Sequence, residues 1–176
     1  MVNKKQLEEV YKQNLENDIN NTNKYYELYD IALINKKPTP IRITKTDFKS
    51  ARIKDAFFET QSTLDYNGVY KGYYIEFDAK ETASETSFAI SNIHPHQIEY
   101  IKKVLKHNGI VFLIVRFTKL NKNYVLKGRQ LIDFLNTNER KSIPLKYFEE
   151  NCYKIELKYS PRLDYIKIVD KLIKEI

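Results

Sequence analysis

Hydrophobic positions divide this chain into stretches of different period. From about Lys4 to Tyr29, the residues Leu7, Val10, Leu15, Ile19 and Leu28 recur at broadly helical intervals. The short run Ile31–Ile34 suits a strand, although a run of that length does not by itself separate a strand from a buried helix. "NKKPTPIRITKTDF" (Asn35–Phe48) carries two prolines, so its start is extended and the Ile41–Thr44 alternation suits an edge strand. "FKSARIKDAFFETQS" (Phe48–Ser62) reads as a short helix with a basic rim and an apolar end at Phe57–Phe58. Ser91–His107 reads as a helix capped by Ser91 or Asn92, with Pro95 tolerated in its first turn and Gly109 as its stop. Ile110–Phe117 is a near-continuous apolar strand of the kind buried on both faces, and Asn123–Leu126 pairs beside it. Two further helices fall near Gly128–Asn136 and Leu163–Lys174, with a strand at Cys152–Leu157 between them. Helices before, within and after a mixed sheet define an α/β fold.

Composition narrows the class. The 176 residues, 42% apolar and 30% charged, suit one globular, soluble domain. The longest apolar run, Ile110–Val115, is far short of the roughly 20 residues of a membrane span, and "MVNKKQLEEVYKQ" has no secretory pattern. No membrane association is expected. A single cysteine, Cys152, fits a reducing cytoplasm, and no Cys/His spacing suggests structural zinc. The net charge of +7 favours a polyanionic partner. The 14 tyrosines and nine phenylalanines can stack on bases, but most belong to core and strands. A Lys/Ile/Asn/Tyr-rich composition also fits an AT-rich genome, which takes weight from the aromatic count.

Candidate chemistry concentrates in "LDYNGVYKGYYIEFDAK" (Leu64–Lys80). A tight turn at Lys71–Gly72, with Gly72 supplying a positive φ, makes this a hairpin in which opposed residues share a face. Asp65 then faces Asp78, Thr63 faces Lys80, and Asn67 faces Glu76. Leu64, Ile75, Phe77 and Ala79 take the other, apolar face. Two carboxylates about 5 Å apart repel by roughly 3 kcal/mol at an effective dielectric of 20. A purely structural hairpin gains nothing from that repulsion. A divalent cation between the acids removes it, and Mg²⁺ prefers a few carboxylates plus water and phosphate oxygens. Lys80, on the same face, is placed to stabilise charge on a phosphate or to orient a water. The alternative is an exposed, salt-bridged hairpin edge.

Asp65, twelve residues, then Asp78-Ala79-Lys80 matches the PD-(D/E)XK nuclease signature, with Leu64 in place of the proline. The surrounding words are more specific: "NTNKYY" (Asn21–Tyr26), "KKPTPI" (Lys36–Ile41), "DYNGVYKG" (Asp65–Gly72), "FDAKET" (Phe77–Thr82), "HQIE" (His96–Glu99) and "YSPRLDYI" (Tyr159–Ile166). In this order and spacing, over about Glu16–Val169, the chain resembles the RecU family of Holliday junction resolvases.

The resemblance implies a restriction-endonuclease-like mixed sheet flanked by helices, with a protruding stalk at about residues 38–62. It also implies a homodimeric, Mg²⁺-dependent endonuclease (Mn²⁺ a possible substitute) that cuts four-way DNA junctions symmetrically in recombination and repair. Recombinase or branch-migration proteins become possible partners, and the cytoplasm, at the nucleoid, the expected location. By motif, Thr63, Asp65, Asp78 and Gln97 hold the metal and its waters, and Lys80 stabilises the transition state. Asp78 stands where the family usually has glutamate. Glu16 falls where related nucleases often place a glutamate near the metal; a glutamate on an exposed helix face is the plainer account. Gln97 is either a ligand near a helix start or an ordinary polar residue there. Along the stalk, Arg42, Lys45, Lys49, Arg52 and Lys54 are phosphate contacts and Phe58 a stacking residue, with Phe57 assigned to a core or dimer interface. Arg162 supports the site, binds phosphate, or pairs with Asp164. His94 and His96 suit helix entry better than half a metal site. Two rivals stay open: a nuclease of this fold acting on other DNA structures, and a non-catalytic junction-binding or recombinase-modulating protein.

Overall fold

A computed structural model describes residues 14–59 and 63–175. Its elements are α1 (Leu15–Leu28), β1 (Leu33–Lys36), β2 (Ile41–Asp47), β3 (Arg52–Phe58), β4 (Tyr66–Tyr70), β5 (Tyr73–Thr82), β6 (Ser87–Ala89) and α2 (Pro95–Lys106). There follow β7 (Ile110–Phe117), β8 (Lys122–Lys127), α3 (Gly128–Thr137), β9 (Ser142–Pro144), α4 (Leu145–Asn151), β10 (Tyr153–Ile155) and α5 (Ile166–Ile173). Six strands form one sheet in the order β1-β4-β5-β7-β8-β10. The β5–β7 pair is parallel and its neighbours are antiparallel, so the sheet is mixed. No helix among the described residues is long and apolar enough to cross a membrane.

All eight residues of β7 are buried because helices cover both faces of the sheet. Ile110, Phe112 and Ile114 point to a core shared with α1 and α5; Val111, Leu113, Val115 and Phe117 point to one shared with α2, α3 and α4. Tyr66, Phe77 and Phe112 stack in sequence across three strands of the first core, with ring centroids 4.8 and 4.9 Å apart. Each such ring buries a large apolar area and fixes register as well.

The expected hairpin is present. Lys71 and Gly72 have φ of 51° and 82°, the two positive values that a type I′ turn requires. Lys71 tolerates the left-handed backbone while its ammonium holds Asp170 at 2.7 Å. The register runs Tyr70–Tyr73, Val69–Tyr74, Gly68–Ile75, Asn67–Glu76 and Tyr66–Phe77. It stops there, one step short of Asp65 and Asp78. Leu64 therefore escapes the alternation and packs in the core with α2, not with Ile75 and Phe77. Thr63, half-buried, likewise lies outside the paired ladder and is not a strand partner of Lys80.

Gly68 lets β1 approach closely: a Cβ there would sit 2.1 Å from the Leu33 carbonyl oxygen and 2.7 Å from the Ile34 Cα. Both are backbone atoms with little room to give. Gly68→Ala is expected to lower stability by roughly 3 kcal/mol, the upper end of overpacking costs, as read from urea denaturation midpoints.

Several boundaries differ from expectation. Residues 48–59, the described part of the helix expected at Phe48–Ser62, form no helix. After a turn in which the Asp47 carboxylate accepts from the Lys49 N–H at 3.1 Å, the chain returns as β3 along β2. A short helix here would have no core to bury its Phe57–Phe58 end against, whereas two strands satisfy each other's backbone groups. Residues 60–62 of that stretch, and Leu7 and Val10, lie outside the described residues. The strand expected at Ile31–Ile34 begins at Leu33, because Asp30 turns left-handed (φ 52°) and the Ile31 N–H closes on the Tyr26 carbonyl at 2.8 Å. α2 starts at Pro95 with His94 as its cap, since Ser91 and Asn92 are used in a preceding 3-10 turn. It ends through Asn108 (φ 58°), with the Gly109 N–H on the Val104 carbonyl at 3.0 Å. Cys152 caps the C-terminus of α4 just before β10, and burial pushes its thiol up to about 12. The short helix α4 and the small β6–β9 sheet were not foreseen.

Candidate active site

Asp78 and Lys80 lie on β5, next to the point where the β4–β5 ladder opens. Asp78 is fully buried and Lys80 nearly so, with the Lys80 Nζ 3.0 Å from the Asp78 Oδ2. Asp65, half-buried on the partner arm, shares a hydrogen bond with Asp78, so the two acids meet as the hairpin register requires. Carboxylates bond to each other only through a proton. Burial, then that bond to Asp65, pushes Asp78 up to about 6, while the charge on Lys80 pulls the other way.

Helix α2 supplies the third side of the site. Gln97, buried in its first turn, donates its amide N–H to Asp78 Oδ2, and its amide oxygen accepts from the His94 N–H at 3.1 Å. The two partners agree on the orientation: a flipped amide would set oxygen against a carboxylate and nitrogen against a donor. Gln97 thus caps the helix and orients Asp78 at once. The sequence suggested a ligand or an ordinary polar residue; the structure places the Gln97 amide against Asp78, at the acids it was expected to join.

The other sequence candidates divide. Glu16, at the start of α1, forms an ion pair with Lys36; burial raises the Tyr66 hydroxyl first, and the charges of Glu16, Asp65 and Asp78 add to it. Glu16 therefore borders the site. Arg162 does not pair with Asp164, which is held by Lys158 at 2.9 Å and Lys167 at 3.2 Å. Its guanidinium lies 2.9 Å from Asp18, a buried acid on α1 that also binds Arg116 at 2.6 Å. Arg116 in turn donates to Asn123 at 2.6 Å. This network pins α1 to β7 and β8, with Glu81 of β5 accepting from the Leu15 N–H at 3.0 Å. Asp18, Glu81 and Arg116 gave no signal in sequence, since nothing periodic links residues so far apart in the chain.

Away from the site, β2 and β3 form a separate two-stranded hairpin, every residue of which is exposed except the half-buried Asp47. Arg42 lies 3.8 Å from Glu59 and Lys54 lies 3.2 Å from Asp47; Lys45, Lys49 and Arg52 are exposed. Phe58 is 79% exposed, and Phe57, assigned to a core or dimer interface, is 51% exposed, so it belongs to no core of this chain. Ile41 pairs with Phe58 and Ile43 with Ala56, giving the ribbon one apolar side.

A metal would meet hard oxygen donors here. Among the described residues no three or more of His, Cys, Asp and Glu converge; the hard oxygens that meet here are those of the Asp65 and Asp78 carboxylates. Two carboxylates suit a cation such as Mg²⁺ that keeps several of its waters.

A mixed sheet flanked by helices, with two acids and a lysine where one hairpin opens, is the restriction-endonuclease-like arrangement. The chain belongs to the family described as RecU, Recombination protein U, whose model matches residues 12–171. It is 49% identical to a Holliday junction resolvase RecU of Pediococcus pentosaceus over 168 residues, covering 92% of this chain and 84% of that one. It is also 49% identical to that of a Geobacillus species over 164 residues (90% and 82%). To that of Bacillus anthracis it is 46% identical over 162 residues (89% and 81%).

Proposed function

We propose that this protein is a structure-specific endonuclease that resolves four-way DNA junctions in recombination and repair, and that it depends on Mg²⁺. The observation that carries the reading is the meeting of Asp65, Asp78 and Lys80 in a chain that matches Holliday junction resolvases along nearly its whole length. Asp65 and Asp78 would hold the cation and its waters, with Thr63 and Gln97 completing the set. When bound, the cation supplies Lewis-acid charge and a more acidic water. Gln97 keeps Asp78 aimed at the site, and Lys80 offsets negative charge growing on the phosphate as water adds and the P–O bond breaks. Unaided, this hydrolysis is extremely slow, so charge and positioning carry the acceleration.

In this reading residues 1–176 are one domain, and the β2–β3 ribbon is the stalk that enters the junction. Arg42, Lys45, Lys49, Arg52 and Lys54 meet phosphates and Phe58 stacks on an exposed base. Arg162, half-exposed and anchored on Asp18, is a further phosphate contact. A homodimer would put a second site on the opposing strand by two-fold symmetry. The cytoplasm, at the nucleoid, is the corresponding location, with recombinase or branch-migration proteins as partners.

Incubation with a labelled mobile four-way junction and Mg²⁺ tests the reading against linear duplex of the same sequence. Paired symmetric nicks in the junction are expected, with the duplex left whole and EDTA stopping the reaction. Equal cutting of duplex would point to a nuclease of broader substrate range. Binding without cutting would point to a non-catalytic junction protein.

A further inference from the structure

The ladder that should hold Asp65 opposite Asp78 ends one residue early, at Tyr66–Phe77. Asp65 is instead held from the other edge of β4. The Lys37 N–H donates to the Asp65 carbonyl at 2.7 Å, extending the β1–β4 pairing by one bond beyond Lys36–Tyr66. Lys37 is itself tied down by its side chain. Its ammonium forms an ion pair with Glu76, a fully buried carboxylate on β5 two residues before Asp78 and on the same face. The Tyr74 hydroxyl donates to the other oxygen of Glu76 at 2.5 Å. The ammonium also lies 5.5 Å from the centre of the Tyr100 ring.

Glu76 thus has every feature of a carboxylate fixed in place. It is out of water, bonded on both oxygens, and matched by one cation whose side chain is only 19% exposed. A buried acid that served packing alone could be replaced by an apolar residue at little cost. Here it closes a circuit: Asp65 to the Lys37 backbone, Lys37 ammonium to Glu76, and Glu76 along β5 to Asp78. Helix α2 reaches both ends of the circuit, with Gln97 on Asp78 and the Tyr100 ring, one turn later, beside the Lys37 ammonium. Lys37 is also the last residue before Pro38, where the chain leaves for the exposed β2–β3 ribbon.

We infer that Lys37 and Glu76 are positioning residues, a clamp that sets the distance between Asp65 and Asp78 and ties the root of the β2–β3 ribbon to the site. The inference deepens the nuclease reading and rests on it. Loosening the clamp should leave both acids present but misplaced.

The test compares the wild-type protein with Lys37→Met, Glu76→Gln and the Lys37→Met/Glu76→Gln double variant. Three quantities are measured: thermal midpoint, junction affinity in EDTA, and Mg²⁺-dependent cleavage under single-turnover conditions. Calorimetric titration of the DNA-free protein with Mn²⁺ adds a readout independent of cutting. Each single variant is expected to lose thermal stability, because it strands one buried charge. The double variant should recover much of that loss. Cleavage and Mn²⁺ affinity should stay down by roughly 10- to 100-fold in all three, the usual cost of removing a group that orients a metal ligand. Junction affinity should change by less than about 2-fold, since the clamp itself is not placed on the DNA.

A double variant that regains cleavage together with stability would reduce the pair to a structural role and overturn the inference. A large loss of junction affinity would make Lys37 a DNA contact, which also overturns it. If the wild-type protein binds Mn²⁺ but does not cut, the nuclease reading fails while the Mn²⁺ affinities of the variants still decide the clamp.

Discussion

Lys80→Ala is expected to reduce junction cleavage by roughly 10³-fold, comparable to removing a principal charge stabiliser from an active site. Two effects act in the same direction. The ammonium that would offset charge on the phosphate is gone, and Asp78 loses the neighbour that pulls its proton affinity down. A cation must then compete harder for a carboxylate that already prefers its proton. Junction binding, measured in EDTA by mobility shift, should change by no more than about 2-fold, because Lys80 is only 15% exposed and offers little surface to DNA. Asp65→Asn is expected to behave alike. Cutting at the wild-type rate by a folded Lys80→Ala protein would remove the lysine from the mechanism.

Asp78→Asn is expected to abolish cleavage and yet stabilise the metal-free protein at neutral pH. The sign follows from linkage. Burial, and then the bond to Asp65, holds Asp78 at about 6, above its ordinary value of 3.8. The folded protein therefore keeps a proton that the unfolded chain releases. The stability this proton contributes is complete below about pH 4 and is lost as pH rises through about 6. An asparagine supplies the neutral form at every pH and still accepts from Gln97. A shift of this size corresponds to on the order of 3 kcal/mol, and losing the Lys80 pair takes back part of it. A rise in Tm of roughly 5 °C at pH 8 is expected for a chain of this length. It should shrink toward zero near pH 4. Saturating Mg²⁺ should raise the wild-type Tm and leave the variant where it was, since only a state that binds the cation is stabilised by it. An Asp78→Asn variant less stable than wild type at pH 8 in EDTA would show that the buried acid is not a source of strain.

That buried acid also shows how the site is arranged. Asp65 and Asp78 come together because β4 and β5 turn on Lys71–Gly72, and they remain together without strand pairing because α2 and the β1 edge hold one acid each. Charge is balanced in the same way. Lys80 answers Asp78 and Lys37 answers Glu76, one cation for each buried carboxylate on that face of β5. On the opposite face, Arg116 and Arg162 share Asp18.

The sequence by itself determined the strands with a clear period, the Lys71–Gly72 turn and the register that follows from it, and hence the meeting of Asp65 and Asp78 with Lys80 nearby. These are local properties: a two-residue turn fixes which side chains face each other, and a near-continuous apolar run such as Ile110–Phe117, stopped by Gly109 before it, suits a strand covered on both sides. That Arg52–Phe58 runs as a strand was settled by packing, because the choice there depended on whether β2 or a core was available to pair with it. Only the tertiary structure could show Gln97 turned onto Asp78, Arg162 on Asp18, or Lys37 on Glu76. Such partners lie on different elements, and no spacing along the chain encodes a contact that exists only after two elements have packed.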